Sequence, residues 1–285
     1  MTTSLNTMLI LLSILVAATM ALTTPPLRIL PLGASVTFGV GSTTGNSYRK
    51  NLRDTLTQAG HTVNFVGRHK NGDFADNDVE ATSGFVLSQI AEAAHTAAPL
   101  FLPNLALVEA GTNNCNSGGT VSDAGANVTV LVRDVFAGSP GVTVVMATLM
   151  GNKFAAQDAC RVDVNRQYRE VAAGFEKEGA RFVLVDMRGP EGPTTEDLFD
   201  TRHPNDRGYQ KMAVVWKEGV DLALGKGFVG VPVENGIPLD VGAGEKVGAA
   251  VQGSMAGVAV ASAGAKCMSV SWLFLCVFLA AAVMY

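Results

Sequence analysis

Apolar runs alternate with helical patterns along the middle of the chain. Short runs rich in Val, Ile and Leu predict five strands, at 28–33, 62–67, 105–110, 142–149 and 181–187. Apolar residues recur at helical spacing over 46–59, 86–98, 121–137, 159–178 and 207–224, and a polar segment at 68–83 predicts a loop. Continuously apolar strands that alternate with helices are typical of a parallel sheet covered on both faces. The pattern therefore predicts an α/β domain with a five-stranded parallel sheet.

The two ends of the chain differ from this middle part. Residues 1–24 and 267–285 contain no Asp, Glu, Lys or Arg. Residues 8–18 form an apolar run of the length found in signal peptides, and small residues and a Pro25-Pro26 pair follow it. Residues 1–24 are therefore predicted to be a signal peptide, with an N-terminal anchor or a core helix as the alternatives.

The C-terminal part of the chain contains a linker and a second hydrophobic segment. Residues 225–266 are rich in Gly, Ala and Val and poor in charge, which predicts a linker without helix or strand. Residues 267–285 form a hydrophobic tail with small residues upstream, an order that resembles a GPI attachment signal. A membrane-spanning tail is the alternative. The folded domain is thus predicted over 25–224, outside the cell, either secreted or anchored at the cell surface.

Composition excludes several classes of protein. The chain has 21 Lys and Arg against 25 Asp and Glu, for a formal net charge of −4. Because no basic surface is available to neutralise phosphates, a nucleic-acid partner is not expected. Hydrophobic residues make up 48% of the chain, which is too apolar for a disordered protein.

The predicted domain contains two cysteines, Cys115 and Cys160. An even pair in a secreted domain is a candidate disulfide, and two unpaired thiols are the alternative. The sequence has no C-x-x-C or H-E-x-x-H spacing, so no metal site is predicted. Asn127 begins a glycosylation sequon, which is consistent with secretion.

Reactive groups follow the predicted strands. Ser35 comes after the first strand, Gly84 lies in the loop after the second, and Asn113 follows the third. Asp200 and His203 lie before the last helix. Because ligands of such sheets bind at the carboxyl ends of the strands, we expect these five residues to converge.

The convergence suits acyl transfer. A serine hydroxyl needs a base to take its proton, which His203 supplies if Asp200 orients its ring. The backbone N–H groups of Ser35 and Gly84 and the side-chain amide of Asn113 are predicted to bind the oxyanion. Each residue alone also fits a turn, a cap or a core position. The hypothesis therefore depends on all five residues occurring together in loops after strand ends.

Four segments, LPLGASVTFG, TSGF, VEAGTNNC and DTRHPNDRGYQKMA, resemble the four sequence blocks of the SGNH (GDSL-type) hydrolases in order and spacing. The resemblance covers about residues 27–224 and is strongest to the secreted fungal branch, which is similar to family 3 carbohydrate esterases. It implies a flavodoxin-like three-layer α/β/α fold and ester hydrolysis without a metal or cofactor.

The resemblance also implies a role for each residue. Ser35 would be the nucleophile and first oxyanion donor, with Gly84 and Asn113 as the other donors. His203 would act as base and then acid, with Asp200 as its orienting partner. A disulfide between Cys115 and Cys160 is implied as well. The chain departs from the family pattern at Ala34 and Asn114, where the family usually has Asp.

Several functions follow as hypotheses. The first is a monomeric serine esterase that hydrolyses short-acyl, chiefly acetyl, esters of small molecules or polysaccharides. The second is a lipolytic esterase or thioesterase with the same triad. The third is a non-catalytic surface binding module on a decayed hydrolase, which the departures at Ala34 and Asn114 favour. A flavin-binding protein is excluded because the loop after the first strand has no Ser/Thr-rich phosphate cradle.

Overall fold

A mainly parallel sheet lies between two layers of helices in residues 24–240, the part of the chain that the computed structural model describes. The strands of this part are β1 (Leu27–Gly33), β2 (Val63–Phe65), β3 (His69–Lys70), β4 (Asp78–Ala81), β5 (Leu105–Glu109), β6 (Thr143–Ala147) and β7 (Phe182–Val185). Its helices are α1 (Ser35–Phe38), α2 (Arg49–Gln58), α3 (Leu87–Phe101), α4 (Ala124–Gly138), α5 (Ala155–Lys177) and α6 (Asp206–Gly225), and short 3-10 helices span Thr112–Cys115 and Thr195–Asp197. The predicted signal peptide, apart from residue 24, and the hydrophobic tail lie outside the described residues.

The strand order confirms the predicted fold class and corrects the strand count. The order is β3-β4-β1-β5-β6-β7, with β2 paired to the first half of β1 beside β4. All pairs are parallel except β3 with β4. The five predicted strands are present, but β3 and β4 also form, within the segment predicted as a loop. The predicted count of five strands is therefore wrong.

Buried charge explains why β4 has no recognisable strand pattern. Its acidic side chains, Asp78 and Glu80, are 4% and 2% exposed. The guanidinium of Arg68 donates to Glu80 at 2.7 Å, and Lys70 lies 3.8 Å from Asp78. Because each carboxylate has a cation nearby, a strand that reads as polar can be buried.

Two apolar cores hold the layers together. Alternate residues of β1 face opposite sides of the sheet: Leu30 and Leu32 pack with α3, α4 and α5, whereas Leu27 and Ile29 pack with α2 and α6. Complete burial of such a side chain contributes about 1.5–3 kcal/mol. Both faces of the sheet are therefore covered, as the continuous apolarity of the strands predicts.

The end of the domain lies later than predicted. Residues 226–240, here called the C-terminal strap, contain no helix or strand but pack against the amino ends of the strands. Arg28 of β1 donates to the carbonyl oxygens of Val233 and Ile237 at 2.9 and 3.1 Å. The side chain of Asn104 likewise donates to the carbonyl oxygen of Gly230 at 2.6 Å. The predicted boundary at 224 is corrected to at least residue 240, and the rest of the predicted linker lies outside the described residues.

The disulfide is present. Cys115, at the end of the 3-10 helix after β5, is bonded to Cys160 in α5, with 5.7 Å between their Cα atoms. The alternative of two unpaired thiols is wrong. A cross-link between residues 45 positions apart stabilises a domain by about 3–4 kcal/mol and here fixes the loop that carries Asn113 to α5.

Candidate active site

Ser35 lies at the carboxyl end of β1, as the first residue of α1. Its side chain is almost fully buried, and no hydrogen bond within residues 24–240 uses its backbone N–H. Gly33, two residues before Ser35, allows the backbones of β1 and β5 to approach closely, since a Cβ atom there would lie 2.7 Å from the carbonyl oxygen of Glu109. The short connection from strand to helix thus presents both the hydroxyl and the N–H of Ser35 at the sheet edge.

The two other predicted triad residues lie in one tight loop, residues 198–205, here called the acid-base loop. The N–H of Phe199 donates to the carbonyl oxygen of His203 at 2.8 Å. The N–H of Asn205 donates to the carbonyl oxygen of Asp197 at 2.8 Å. These two backbone bonds close the loop at its base and bring the residues between them onto one turn.

The predicted Ser–His–Asp arrangement is present in the geometry. Nδ1 of His203 lies 2.6 Å from Oδ2 of Asp200, and Nε2 of His203 lies 2.9 Å from Oγ of Ser35. Oδ1 of Asp200 also accepts the backbone N–H groups of Arg202 and His203, both at 2.8 Å. Burial raises the pKa of the Asp200 carboxyl, but these hydrogen bonds outweigh it and lower the pKa to about 2. An ionised Asp200 holds the proton of His203 on Nδ1 and leaves Nε2 free to accept the proton of Ser35.

The predicted oxyanion donors Gly84 and Asn113 lie in adjoining loops. Gly84 has a φ of +89°, a conformation that favours glycine even though a Cβ would meet nothing within 4 Å. No hydrogen bond within residues 24–240 uses its N–H. Nδ2 of Asn113 donates to the carbonyl oxygen of Phe85 at 2.8 Å, which ties the two loops together.

A chain of side-chain hydrogen bonds links these donors to the acid-base loop. Arg202 donates to Oδ1 of Asn116 at 2.5 Å, and Nδ2 of Asn116 donates to Oδ1 of Asn113 at 3.1 Å. With its oxygen and one N–H occupied, the amide of Asn113 has a fixed orientation and one N–H left to offer. Arg202 and Asn116 were not predicted as site residues, and their only signal in the sequence is their position near His203 and Asn113.

Further contacts hold the acid-base loop from the sides. The backbone N–H of Lys153 donates to the carbonyl oxygen of Thr201 at 3.0 Å, and its Nζ donates to that of Leu198 at 3.2 Å. On another side the loop approaches Gly41, whose φ is +91° and where a Cβ would lie 2.5 Å from the carbonyl oxygen of Pro204. A side chain at that position would push the loop away.

Buried Asp197 anchors the start of the same loop. Its carboxylate accepts from Arg207 Nε at 2.5 Å, Lys211 Nζ at 2.8 Å and Thr194 N–H at 2.8 Å. Burial raises the pKa of Asp197, but these donors outweigh it and hold the pKa well below its ordinary value. The charge is therefore fully compensated, and the loop is joined firmly to α6.

The two residues that depart from the family pattern, Asn114 and Ala34, have different surroundings in the structure. Oδ1 of Asn114 accepts the N–H of Leu87 at 3.0 Å, at the first residue of α3. An amide oxygen therefore provides the acceptor that a carboxylate would provide. Ala34 is buried within the apolar cluster beneath α3, α4 and α5.

Two other predictions concern residues outside the site. Asn127 lies in the first turn of α4, where its amide donates to Asp123 at 2.9 Å, and its glycosylation stays a prediction. In residues 24–240, no group of three or more His, Cys, Asp or Glu side chains is placed to hold a metal ion. No helix of the same part of the chain is long and apolar enough to cross a membrane.

Comparison with known proteins settles the family. Residues 32–211 match the model of the GDSL-like lipase/acylhydrolase family. The chain belongs to this family. The predicted membership of the GDSL-type hydrolases and the prediction of a serine hydrolase that acts on ester bonds are thereby confirmed.

Solved structures of GDSL-type hydrolases share the fold. A family 3 carbohydrate esterase from Clostridium thermocellum is 24% identical, covers 72% of this chain and 99% of its own, and has a TM-score of 0.61. One from Talaromyces cellulolyticus is 22% identical, with coverages of 70% and 99% and a TM-score of 0.61. An acetyl esterase mutant with acetate ion is 21% identical, with coverages of 70% and 99% and a TM-score of 0.60. No curated protein matches the sequence.

Proposed function

We propose that this GDSL-type hydrolase is a serine esterase that uses Ser35, His203 and Asp200 as its catalytic triad and removes short acyl groups, chiefly acetyl, from carbohydrates. The observation that carries the proposal is the continuous line of contacts from Asp200 through His203 to Ser35, at 2.6 and 2.9 Å. A serine with this partner set is activated for attack on an ester carbonyl.

In the proposed acylation step, Oγ of Ser35 attacks the ester carbonyl carbon while Nε2 of His203 takes its proton. The carbonyl oxygen becomes negatively charged and accepts hydrogen bonds from the N–H groups of Ser35 and Gly84 and from the free amide N–H of Asn113. When the intermediate collapses, the bond to the alcohol oxygen breaks and His203 gives its proton to that oxygen. Asp200 stays ionised and stabilises the imidazolium.

In the proposed deacylation step, water takes the place of the alcohol. His203 accepts a proton from water as its oxygen bonds to the acyl carbon. The bond from that carbon to Oγ of Ser35 then breaks, and the proton on Nε2 returns to Oγ. The products are the free acid and the starting enzyme, so no cofactor enters the cycle.

Two observations support the choice of substrate and location. The neighbouring folds include proteins named as carbohydrate esterases and an acetyl esterase. The Cys115–Cys160 disulfide is of a kind that persists in oxidising compartments, in keeping with the proposal of secretion or cell-surface attachment.

The proposal is tested with a serine-directed reagent and a series of esters. Diisopropyl fluorophosphate is expected to add one phosphoryl group per chain, found by mass spectrometry on the peptide that contains Ser35. Rates on 4-nitrophenyl acetate, butyrate and octanoate are expected to fall with chain length. Faster hydrolysis of octanoate would favour the lipolytic alternative. A folded protein that takes no label and hydrolyses no ester would instead be the non-catalytic binding module.

Asn113→Ala is expected to lower kcat for 4-nitrophenyl acetate by about 10²- to 10³-fold, because one oxyanion donor is lost. KM should change little, since the ground-state carbonyl depends less on this hydrogen bond than the transition state does. Asn51→Ala, the same change at a partly buried residue of α2 that is outside the site, serves as the control and should leave kcat unaltered. Equal kcat values for the two variants would remove Asn113 from the proposed mechanism.

A further inference from the structure

Two exposed phenylalanines stand out in the described part of the chain. Phe154 is 54% exposed and Phe199 is 66% exposed, and no other Phe, Tyr or Trp side chain of residues 24–240 is comparably exposed. The tryptophan and tyrosines of this part are buried. Single exposed apolar side chains are common on protein surfaces, so these two rings are informative through their position next to the acid-base loop.

Both rings belong to segments that touch the acid-base loop. Phe199 directly precedes Asp200, and its backbone N–H donates to the carbonyl oxygen of His203. Its Cβ lies on the side of the loop that approaches Gly41. Phe154 directly follows Lys153, whose N–H and Nζ hold the same loop. The two phenylalanines therefore belong to two different segments that contact the loop carrying Asp200 and His203.

The surroundings of Phe154 are polar. The Gln157 amide, one turn further along the chain, donates to the carbonyl oxygen of Asn116 at 2.6 Å. The Asn116 side chain accepts in turn from Arg202. Exposed aromatic rings on segments that also carry amide and guanidinium side chains suit a ligand that is apolar on its faces and polar at its edge. A pyranose ring has this form, with C–H groups on its faces and hydroxyls around it. A long acyl chain, by contrast, requires a continuous apolar surface.

We propose that Phe154 and Phe199 form a binding site for the carbohydrate half of the substrate, in which each phenyl ring stacks on the C–H face of a sugar. The proposal rests on the proposed function of the triad. It assigns specificity for the alcohol half of the ester to two residues that do not touch the reacting atoms. An ester with a flat or small alcohol would gain less from them than an acetylated sugar.

The test compares two esters on the full-length protein from a eukaryotic secretory host. The quantity measured is the ratio of kcat/KM for glucose pentaacetate to kcat/KM for 4-nitrophenyl acetate. Phe154→Ala or Phe199→Ala is expected to lower this ratio about fivefold, and the double variant about 20-fold, mainly through KM for the sugar ester. Phe199→Trp should restore the ratio, since it keeps an aromatic face. The control is Val231→Ala, a change at a 73% exposed residue on the opposite edge of the sheet, which should leave the ratio unaltered.

The ratio separates binding from damage to the triad. If loss of Phe199 merely displaced Asp200, both esters would slow equally and the ratio would stay at its original value. An unaltered ratio in the double variant overturns the proposal while leaving the serine esterase intact. Selective loss of octanoate hydrolysis also overturns it, because the rings would then hold an acyl chain.

A second measurement does not depend on hydrolysis. Glucose pentaacetate is titrated calorimetrically into the Ser35→Ala protein, with and without the two phenylalanine substitutions. Binding that weakens about 20-fold when both rings are removed supports the site even if the wild type hydrolyses no ester. Equal binding with and without the rings overturns the site.

Discussion

Replacement of Ser35 with alanine is expected to lower kcat/KM for 4-nitrophenyl acetate by about 10⁵-fold, because the residues of the proposed triad would act as a unit and the proposed nucleophile has no substitute. The activity that remains would come from water attack assisted by the oxyanion donors. The rate is measured with enough protein to detect turnover close to the uncatalysed hydrolysis. The reaction of Ser35→Ala with diisopropyl fluorophosphate should be lost in parallel.

The structure supplies two controls for this variant. Ser122→Ala removes the hydroxyl of an exposed serine outside the site and should retain full activity. The one side-chain hydrogen bond of Ser35 within residues 24–240 is to His203, so the thermal midpoint of Ser35→Ala should stay close to that of the wild type. A Ser35→Ala protein that is folded and keeps more than a tenth of the activity would contradict the proposed nucleophile.

Truncation after Gly225 is expected to lower the free energy of unfolding by about 4–8 kcal/mol relative to a chain that ends at Asp240. The guanidinium of Arg28, 1% exposed, would lose its acceptors on Val233 and Ile237. Asn104 would also lose its acceptor on the strap. Water replaces these acceptors once the strap is absent, so the expected loss combines net hydrogen-bond contributions of about 0.5–1.5 kcal/mol each with the apolar burial of the strap. Urea denaturation of the two chains measures the difference.

A milder pair of substitutions tests the same point if the truncated chain fails to fold. Ile237→Ala should lower the free energy of unfolding by about 2–3 kcal/mol, because this strap side chain is 6% exposed and packs on the core. Val231→Ala, at an exposed position of the strap, should stay within about 0.5 kcal/mol of the wild type. Equal stability of the two variants would mean that the strap lies loosely on the domain.

The sequence allowed most of the fold to be predicted because apolar patterns report burial directly. All five predicted strands and all five predicted helices are present, although the ends of several shift by a few residues. Strand β4 was not predicted, because its alternate positions are acidic rather than apolar. Asp78 and Glu80 read as surface residues, and only the basic side chains that the fold brings beside them allow their burial.

The C-terminal strap was missed for a different reason. It is held largely through its backbone carbonyl oxygens, which any residue possesses, by donors located far away along the chain. No periodicity in residues 226–240 records such contacts. The partners of the strap, such as Arg28 and Asn104, also carry no local signal of the segment that they hold.

The sequence by itself determined which groups are available for chemistry and to which family the chain belongs. Ser35, Gly84, Asn113, Asp200 and His203 follow strand ends in a parallel sheet, and the carboxyl ends of such strands meet at one edge. Only the tertiary structure decided the distances among these groups, the orientation of the Asn113 amide through Asn116 and Arg202, and the exposure of two phenylalanines in segments that contact the acid-base loop. The physical reason is that hydrogen-bond geometry and side-chain exposure depend on contacts between segments distant in sequence, whereas residue type and spacing do not.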